Sequence, residues 1–284
     1  MKKKSVFIAI VFIISGLTFS SCLKEKKTYD TSFSQDHAYV ENVFNNVSGM
    51  ADEAYELSSN RSNLELATSY YLSECTEVIL DLSANPYLLS IDFGEENCLC
   101  NDGRYRRGKI LTTFTGMYRE PGTIITHTLE DYYVDNDEVM GTMVITNTGL
   151  NELDHMQYNV QVTGEVHKAN NEGVIYWNSD RMHEWVEGRE SIEILDDVYL
   201  ISGMASAEST NKTVEDGSTN LISTWEINTI EPLRVALNCN WVSAGSLSVN
   251  ASGWDEAIIE YGTGDCDNEI FVIYNGKTYT IKLP

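Results

Sequence analysis

The stretch IFVIYNGKTYTIKL, residues 270–283, decides the fold class. β-branched and aromatic residues alternate with other residues on both sides of Asn275-Gly276. Asn-Gly is the dipeptide that a two-residue hairpin turn favours, because both of its residues adopt positive φ at little cost. The sequence therefore predicts an antiparallel hairpin at this end of the chain.

The same period of two continues upstream, for example in MQYNVQV at residues 156–162. Such alternation is typical of strands with one buried and one wetted face. Further strands are predicted at Gly108–Tyr118, Thr123–Val134, Glu138–Thr148, Met156–Lys168, Tyr199–Ser206 and Leu221–Ile227. We predict a mostly β protein with antiparallel sheets, arranged as a sandwich or an extended meander. This all-β region spans 75–284, as one domain or as two pseudo-repeated halves.

One N-terminal amphipathic helix is predicted over 33–58. Apolar residues recur there at steps of three and four, which places them on one helical face. This helix is either a short coiled coil that binds a partner or a helix that docks on its own domain, and its alanines favour docking. The residues on the apolar face are Phe33, His37, Val40, Phe44, Val47, Ala51 and Ala54.

Two similar segments suggest how the cysteines pair. Residues 91–94 (IDFG) are followed by Cys98, and residues 259–262 (IEYG) are followed by Cys266, in each case four residues after the glycine. Another cysteine precedes each of these, Cys75 by 23 residues and Cys239 by 27. The parallel predicts the disulfides Cys75–Cys98 and Cys239–Cys266. Each would stabilise the protein by roughly 3–4 kcal/mol in the chain-entropy description.

Cys100 has no counterpart in this scheme. Two disulfides and one free thiol is the simplest arrangement of five cysteines. Pairing of Cys98 with Cys100, or of Cys75 with Cys100, stays open.

The N-terminus is typical of a bacterial lipoprotein signal peptide, residues 1–21. Lys2, Lys3 and Lys4 precede an apolar run of 14 residues from Val6 to Phe19. This run is short for a transmembrane helix, which needs about 20 residues. Small residues then precede Cys22, the predicted lipidation site. We expect an outer-membrane protein, on the periplasmic or the cell-surface side, with the lipid bilayer as a partner through acylated Cys22 and residues 22–32 as a tether.

The charge of the chain argues against nucleic acid as a partner. The chain has a formal charge of −24, and removal of residues 1–21 takes away three lysines and no acid, which leaves −27. Phosphate binding needs clustered lysine and arginine. The acids are scattered and indicate a solvated surface.

Several motifs together resemble a family of Bacteroidota lipoproteins to which no activity is assigned. The resemblance covers roughly 75–284 and implies an all-β exported lipoprotein. Cys100 departs from the family pattern, which has a small residue there. The motifs are Asp92-Phe93-Gly94, Cys98, Asp102-Gly103-Arg104, Arg107-Gly108-Lys109-Ile110, Tyr132-Tyr133-Val134 with Gly141-Thr142, Cys239-Asn240-Trp241 with Gly245, Tyr261-Gly262 through Asn268, and Asn275-Gly276-Lys277.

Catalytic and metal-binding motifs are not found in the sequence. The histidines form no zinc-type pair, and there is no nucleophile elbow or phosphate-binding glycine loop. Acidic turns at 135–138 and 265–267 could offer oxygen ligands to calcium but lack the spacing of an EF-hand loop. We therefore predict no metal, no cofactor and no catalytic residue.

Tryptophans provide the one candidate ligand surface. Trp177, Asp180, Arg181, His183 and Trp185 concentrate aromatic and hydrogen-bonding groups within nine residues. Exposed tryptophans stack on sugars and anchor interfaces, whereas buried ones fill the core. We expect this segment to form a hairpin or strand edge near a recognition surface, with core packing as the favoured alternative.

Trp241, beside a predicted disulfide, is expected in the core. The favoured function is a ligand- or partner-binding module of the cell envelope, whose partner would be a glycan or an envelope protein. A structural envelope protein and a glycan-active enzyme are the alternatives.

Overall fold

The computed structural model describes residues 32–59, 69–191, 193–212 and 219–283. The predicted signal peptide, Cys22 and the tether as far as residue 31 lie outside the described residues. Among the residues described, no helix combines the length and apolar character that crossing a membrane requires.

Fourteen strands follow one N-terminal helix in the described chain. The elements are α1 Ser32–Ser59, β1 Glu77–Asp81, β2 Tyr87–Asp92, β3 Cys98–Leu99, β4 Tyr105–Phe114, β5 Ile124–Val134, β6 Asp137–Leu150, β7 Met156–Lys168, β8 Gly173–Glu187, β9 Val198–Lys212, β10 Thr219–Ala236, β11 Ala244–Ala251, β12 Ala257–Thr263, β13 Glu269–Tyr274 and β14 Lys277–Lys282, with short 3₁₀ helices at Ala169–Asn171 and Ile194–Asp196.

The strands form one antiparallel sheet in which almost every strand pairs with its neighbours in the chain. The order is β1-β2-β4 through β14, with β3 paired to β4 alone. The predicted mostly β class with an N-terminal helix is confirmed, and of the two predicted arrangements the sheet adopts the meander.

The hairpin predicted from the closing sequence is present. Tyr274 pairs with Lys277 across a two-residue turn. Asn275 and Gly276 have φ of 50° and 69°, as a type I′ turn requires.

Helix α1 lies against the sheet, which is the docked arrangement. The helix contacts strands β1, β2, β4, β5, β8 and β9. On its predicted apolar face, the side chain of Phe33 lies outside the described part of the chain, and the others are no more than 2% exposed: His37, Val40, Phe44, Val47, Ala51 and Ala54. Val43 and Met50 join the predicted face, so the buried surface is wider than one stripe. Phe44 packs directly on the bare backbone of Gly164, where a Cβ would lie 2.3 Å from the ring. This close approach requires glycine at that position of β7.

Segments from both halves of the chain bond to the helix. Before β1, the buried Glu53 carboxylate accepts hydrogen bonds from Ser69 Oγ at 2.6 Å and from the backbone N–H of Leu72 at 3.1 Å. After β10, the Asn240 carbonyl accepts a hydrogen bond from Asn42 Nδ2 at 3.1 Å. Loops before the first strand and between β10 and β11 therefore meet on the same helix.

Both predicted disulfides are present. Cys75 is joined to Cys98 and Cys239 to Cys266, with Cα–Cα distances of 5.9 and 5.7 Å. Cys100 is a buried free thiol, and burial raises its pKa. The two similar segments, 91–94 and 259–262, also have the same backbone conformation at their glycines, since φ is 83° at Gly94 and 88° at Gly262. The aromatic residues before these glycines, Phe93 and Tyr261, are both buried.

Candidate functional site

The structure does not bring the five predicted surface residues together on one face. Alternation along β8 turns Trp177, Arg181 and Trp185 inward, where each is no more than 3% exposed, while Asp180 lies on the exposed outer face. The expectation of exposed stacking rings is therefore wrong, and core packing describes both tryptophans. The segment is also not a strand edge, because β8 pairs with both β7 and β9.

Trp177 and Arg181 lie under the helix. The Trp177 ring centroid is 5.4 Å from that of His37, and Arg181 Nη2 is 3.2 Å from Glu41 Oε1. Glu41 also lies 3.0 Å from His37 Nε2. Burial opposes ionisation of Glu41, but Arg181 and His37 outweigh it and hold the pKa of this carboxyl at about 2. These residues hold the helix on the sheet.

His183 and Trp185 instead line a cavity between α1 and the inner face of the sheet, which we call the Asp52 cavity. A water-sized sphere can reach about 70 Å³ of it, which is room for a few water molecules and less than drug-sized ligand sites provide. Its walls are Asn45, Ser48, Gly49 and Asp52 on the helix, with Tyr118, Arg119, Ile125, Ile145, Tyr158, Val160, His183, Trp185, Tyr199, Ile201, Val235 and Leu237 on the sheet side.

Asp52 and Arg119 are the charged groups of this cavity. Tyr118 donates a hydrogen bond of 2.8 Å to Asp52 Oδ1. Arg119 lies over the Trp185 ring, 4.6 Å from its centroid, and its Nη2 is 3.2 Å from Glu56 Oε1. The guanidinium is thus fixed between an aromatic face and a carboxylate.

A second carboxyl lies behind Trp185. Trp185 Nε1 donates a hydrogen bond of 3.1 Å to the buried Asp197. Burial raises the pKa of Asp197 to about 7 and that of Asp52 to about 6, and Arg119 opposes both shifts. Burial, reinforced by Arg181, lowers the pKa of His183 to about 4. Near neutral pH the His183 imidazole is therefore neutral, and burial favours the protonated form of both carboxyls.

Several polar groups face this cavity without a protein partner. The hydroxyls of Ser48, Tyr158 and Tyr199 and the amide of Asn45 make no hydrogen bond to any described residue. None of these four groups is fully buried, so each can bond to water or to a ligand that enters the cavity. Perturbed pKa values in the same cleft point to a functional site.

The acidic turns are occupied by protein donors. Asp137 accepts hydrogen bonds from Tyr39 at 2.6 Å and from the Ala169 N–H at 2.7 Å, and Asp267 accepts one from the Glu269 N–H at 2.8 Å. Over the described ranges, no group of three or more His, Cys, Asp or Glu side chains is placed to hold a metal ion.

Sequence reasoning missed the principal residues of the cavity. Asp52, Arg119 and Tyr199 lie far apart in the chain and share no motif. Trp241 was placed in the core, but it is half-buried and lines a cavity. Comparison of the chain with family models, curated proteins and solved structures gives no match.

Proposed function

We propose that this protein is a membrane-anchored lipoprotein of the cell envelope that binds a small ligand in the Asp52 cavity. One observation carries the binding proposal: unpartnered polar groups converge on a cavity with mostly apolar walls. This combination of an apolar enclosure and a few placed polar groups is typical of small-molecule sites.

The lining specifies an amphipathic ligand. An aromatic or aliphatic body would lie against Ile145, Val160 and Ile201, which are apolar residues of the inner sheet face. A hydroxyl or amide group would reach the Tyr158 and Tyr199 hydroxyls. A strongly charged ligand is disfavoured, because Arg119 is already paired with Glu56 and lies close to Asp52.

The anchorage proposal is supported by the N-terminal sequence. Lysines, an apolar run of 14 residues and small residues before Cys22 fit lipidation and export to the outer membrane. Two disulfides in the β region agree with an oxidising compartment. The cavity would then be presented at the periplasmic or the cell-surface side.

The binding proposal is tested with 2-naphthol, a fluorescent probe that has an apolar body and one hydroxyl. Ser48→Phe, which fills the cavity from the helix, should abolish binding. Tyr199→Phe removes one hydrogen bond, worth about 1 kcal/mol, and should weaken binding about fivefold. Tyr176→Phe, on the exposed outer face of β8, is the matched control and should bind as wild type. Binding that survives Ser48→Phe in a folded variant, or no binding by wild type, would overturn the proposal.

A second candidate is an enzyme that acts on glycans. It is favoured by the two carboxyls with raised pKa, Asp52 and Asp197, since glycoside hydrolysis uses such a pair with one protonated. The enzyme candidate would be supported if wild type released reducing ends from a panel of polysaccharides and Asp197→Asn did not. No release by wild type would exclude it for those substrates.

A further inference from the structure

A second cavity lies where the two disulfide-bonded loops meet. One loop follows Cys98 and carries Asp102 and Arg104, and the other follows Cys239 and carries Asn240 and Trp241. The first loop lies between β3 and β4 and the second between β10 and β11, and both line one cavity together with the first half of α1. We call this space the Trp241 cavity. It is lined by Ala38, Tyr39, Asn42, Asn46, Asp102, Arg104, Asn240, Trp241 and Leu283.

The cavity is roomier than the Asp52 cavity and has a more polar wall. A water-sized sphere can reach about 190 Å³ of it, against about 70 Å³ in the Asp52 cavity. Trp241 and Tyr39 both line this space and are half-buried, and the Arg104 guanidinium lies over the Tyr39 ring, 5.9 Å from its centroid. The disulfide at Cys239 fixes the loop that presents Trp241.

Hydrogen bonds within the wall hold its amides in place and leave donors unused. Asn42 Nδ2 donates to the Asn240 carbonyl, and Asn46 Nδ2 donates to Asn42 Oδ1, both at 3.1 Å. The Tyr70 hydroxyl donates to Asn240 Oδ1. The Asn240 NH₂ group and the buried Arg104 Nη1 have no hydrogen-bond partner among the residues described. Both donors are therefore free for a ligand.

The charges of the wall are largely compensated. Asp102 receives two hydrogen bonds from Arg106, at 2.7 and 2.6 Å, and Arg104 Nε lies 3.5 Å from Asp135. The ligand should therefore be neutral, with several acceptors and hydroxyls and one apolar face that can lie on an indole.

We propose that the Trp241 cavity binds a neutral pyranose sugar. A pyranose offers C–H groups to an aromatic ring on one face and hydroxyls to amide and guanidinium donors around its edge. No residue lines both this cavity and the Asp52 cavity, and the inference does not depend on the function proposed there.

Saturation-transfer NMR on the full chain tests this inference with four probes: D-glucose, D-galactose, D-mannose and N-acetyl-D-glucosamine. At least one sugar should receive saturation from the wild type. Trp241→Ala should weaken its binding at least tenfold, Trp241→Phe should restore part of it, and Asn240→Ala should weaken it severalfold. Tyr105→Ala, at an exposed aromatic residue outside the cavity, should have no effect.

Naphthol binding separates the two proposals. Trp241→Ala should leave 2-naphthol affinity unchanged, which also shows that the variant is folded. No saturation of any of the four sugars, or wild-type sugar binding by a folded Trp241→Ala variant, would refute the sugar site whether or not naphthol binds.

Discussion

Arg181 on β8 and Glu41 on α1 form an ion pair inside the protein, with 3.2 Å between Nη2 and Oε1. The Arg181 side chain is 3% exposed, and its Nε and Nη1 have no hydrogen-bond partner among the residues described. The guanidinium therefore depends on Glu41 for compensation of its charge.

Glu41→Gln should lower the free energy of unfolding by about 3–5 kcal/mol, because it leaves a buried cation unpaired. Urea denaturation at pH 7 measures this loss. Glu208→Gln, at an exposed position on β9, is the control and should change stability by less than about 0.5 kcal/mol. Combining Glu41→Gln with Arg181→Met should recover part of the loss, and a loss below about 1 kcal/mol in the single variant would contradict this account.

Asp52→Asn should stabilise the protein above pH 6. Burial raises the pKa of Asp52 from 3.8 to about 6, so the folded state favours the protonated form, and stability declines as pH rises through that value. At pH 8 the free energy of unfolding of the variant should exceed that of wild type by about 1–2 kcal/mol. This is less than the full pKa shift implies, because the carboxyl keeps some solvent contact. Thermal unfolding at pH 4 and pH 8 measures the difference, which should disappear at pH 4. Asp255→Asn, at an exposed site, should show no such dependence.

Trp177→Ala should cost about 3–5 kcal/mol, as removal of a large core ring does. Trp177 is 2% exposed, whereas its chain neighbour Tyr176 points to the outer face and is 41% exposed. Tyr176→Ala is therefore a control in the same strand and should cost much less. Equal losses for the two variants, measured by denaturant unfolding, would argue against the burial described.

Peptide mapping without reduction should recover Cys75 with Cys98 and Cys239 with Cys266. Cys100 should react with iodoacetamide only after unfolding, because it is buried. Replacing both Cys239 and Cys266 by serine opens a loop with a sequence separation of 27, which should cost roughly 3–4 kcal/mol. Rapid alkylation of Cys100 in the native protein would be the contrary result.

Cys22→Ser should release the protein from membranes or leave it unprocessed. The several acyl chains of a bacterial lipoprotein hold firmly, whereas one chain binds only marginally. Fractionation of cells that express each form measures how much of the protein is in the membrane fraction. Cys100→Ser is the control and should remain anchored. A Cys22→Ser protein that is processed and membrane-bound would show that this anchor is not used.

Local patterns in the sequence were sufficient to predict the mostly β class, many of its strands and the closing hairpin. Strand alternation and the Asn275-Gly276 turn depend on residues that are neighbours in the chain. A single sequence is therefore enough to recognise both. The disulfides followed from a parallel between two segments whose spacing is also local. The mostly β class and the apolar helix face could be predicted for the same reason.

The sites could not be predicted, because they depend on how far the sheet curves. Trp177 and Trp185 lie on the same face of β8. The helix covers Trp177, whereas a cavity lies beside Trp185. Tyr118 is 66 residues from its partner Asp52, and only the folded sheet brings them together. Trp241 lies beside a disulfide, as core residues often do, but its loop turns it toward a cavity.

The consecutive strand order has a consequence for how the chain folds. Each hairpin closes a short loop, so the sheet can grow one strand at a time at a low entropic cost, as in proteins of low contact order. The helix is the exception, since Asn42 bonds to Asn240 across 198 residues. The strands that contact the helix run from β1 to β9, so its apolar face is covered in steps as these strands pair. Only the bond from Asn42 to Asn240 has to wait until β10 has formed.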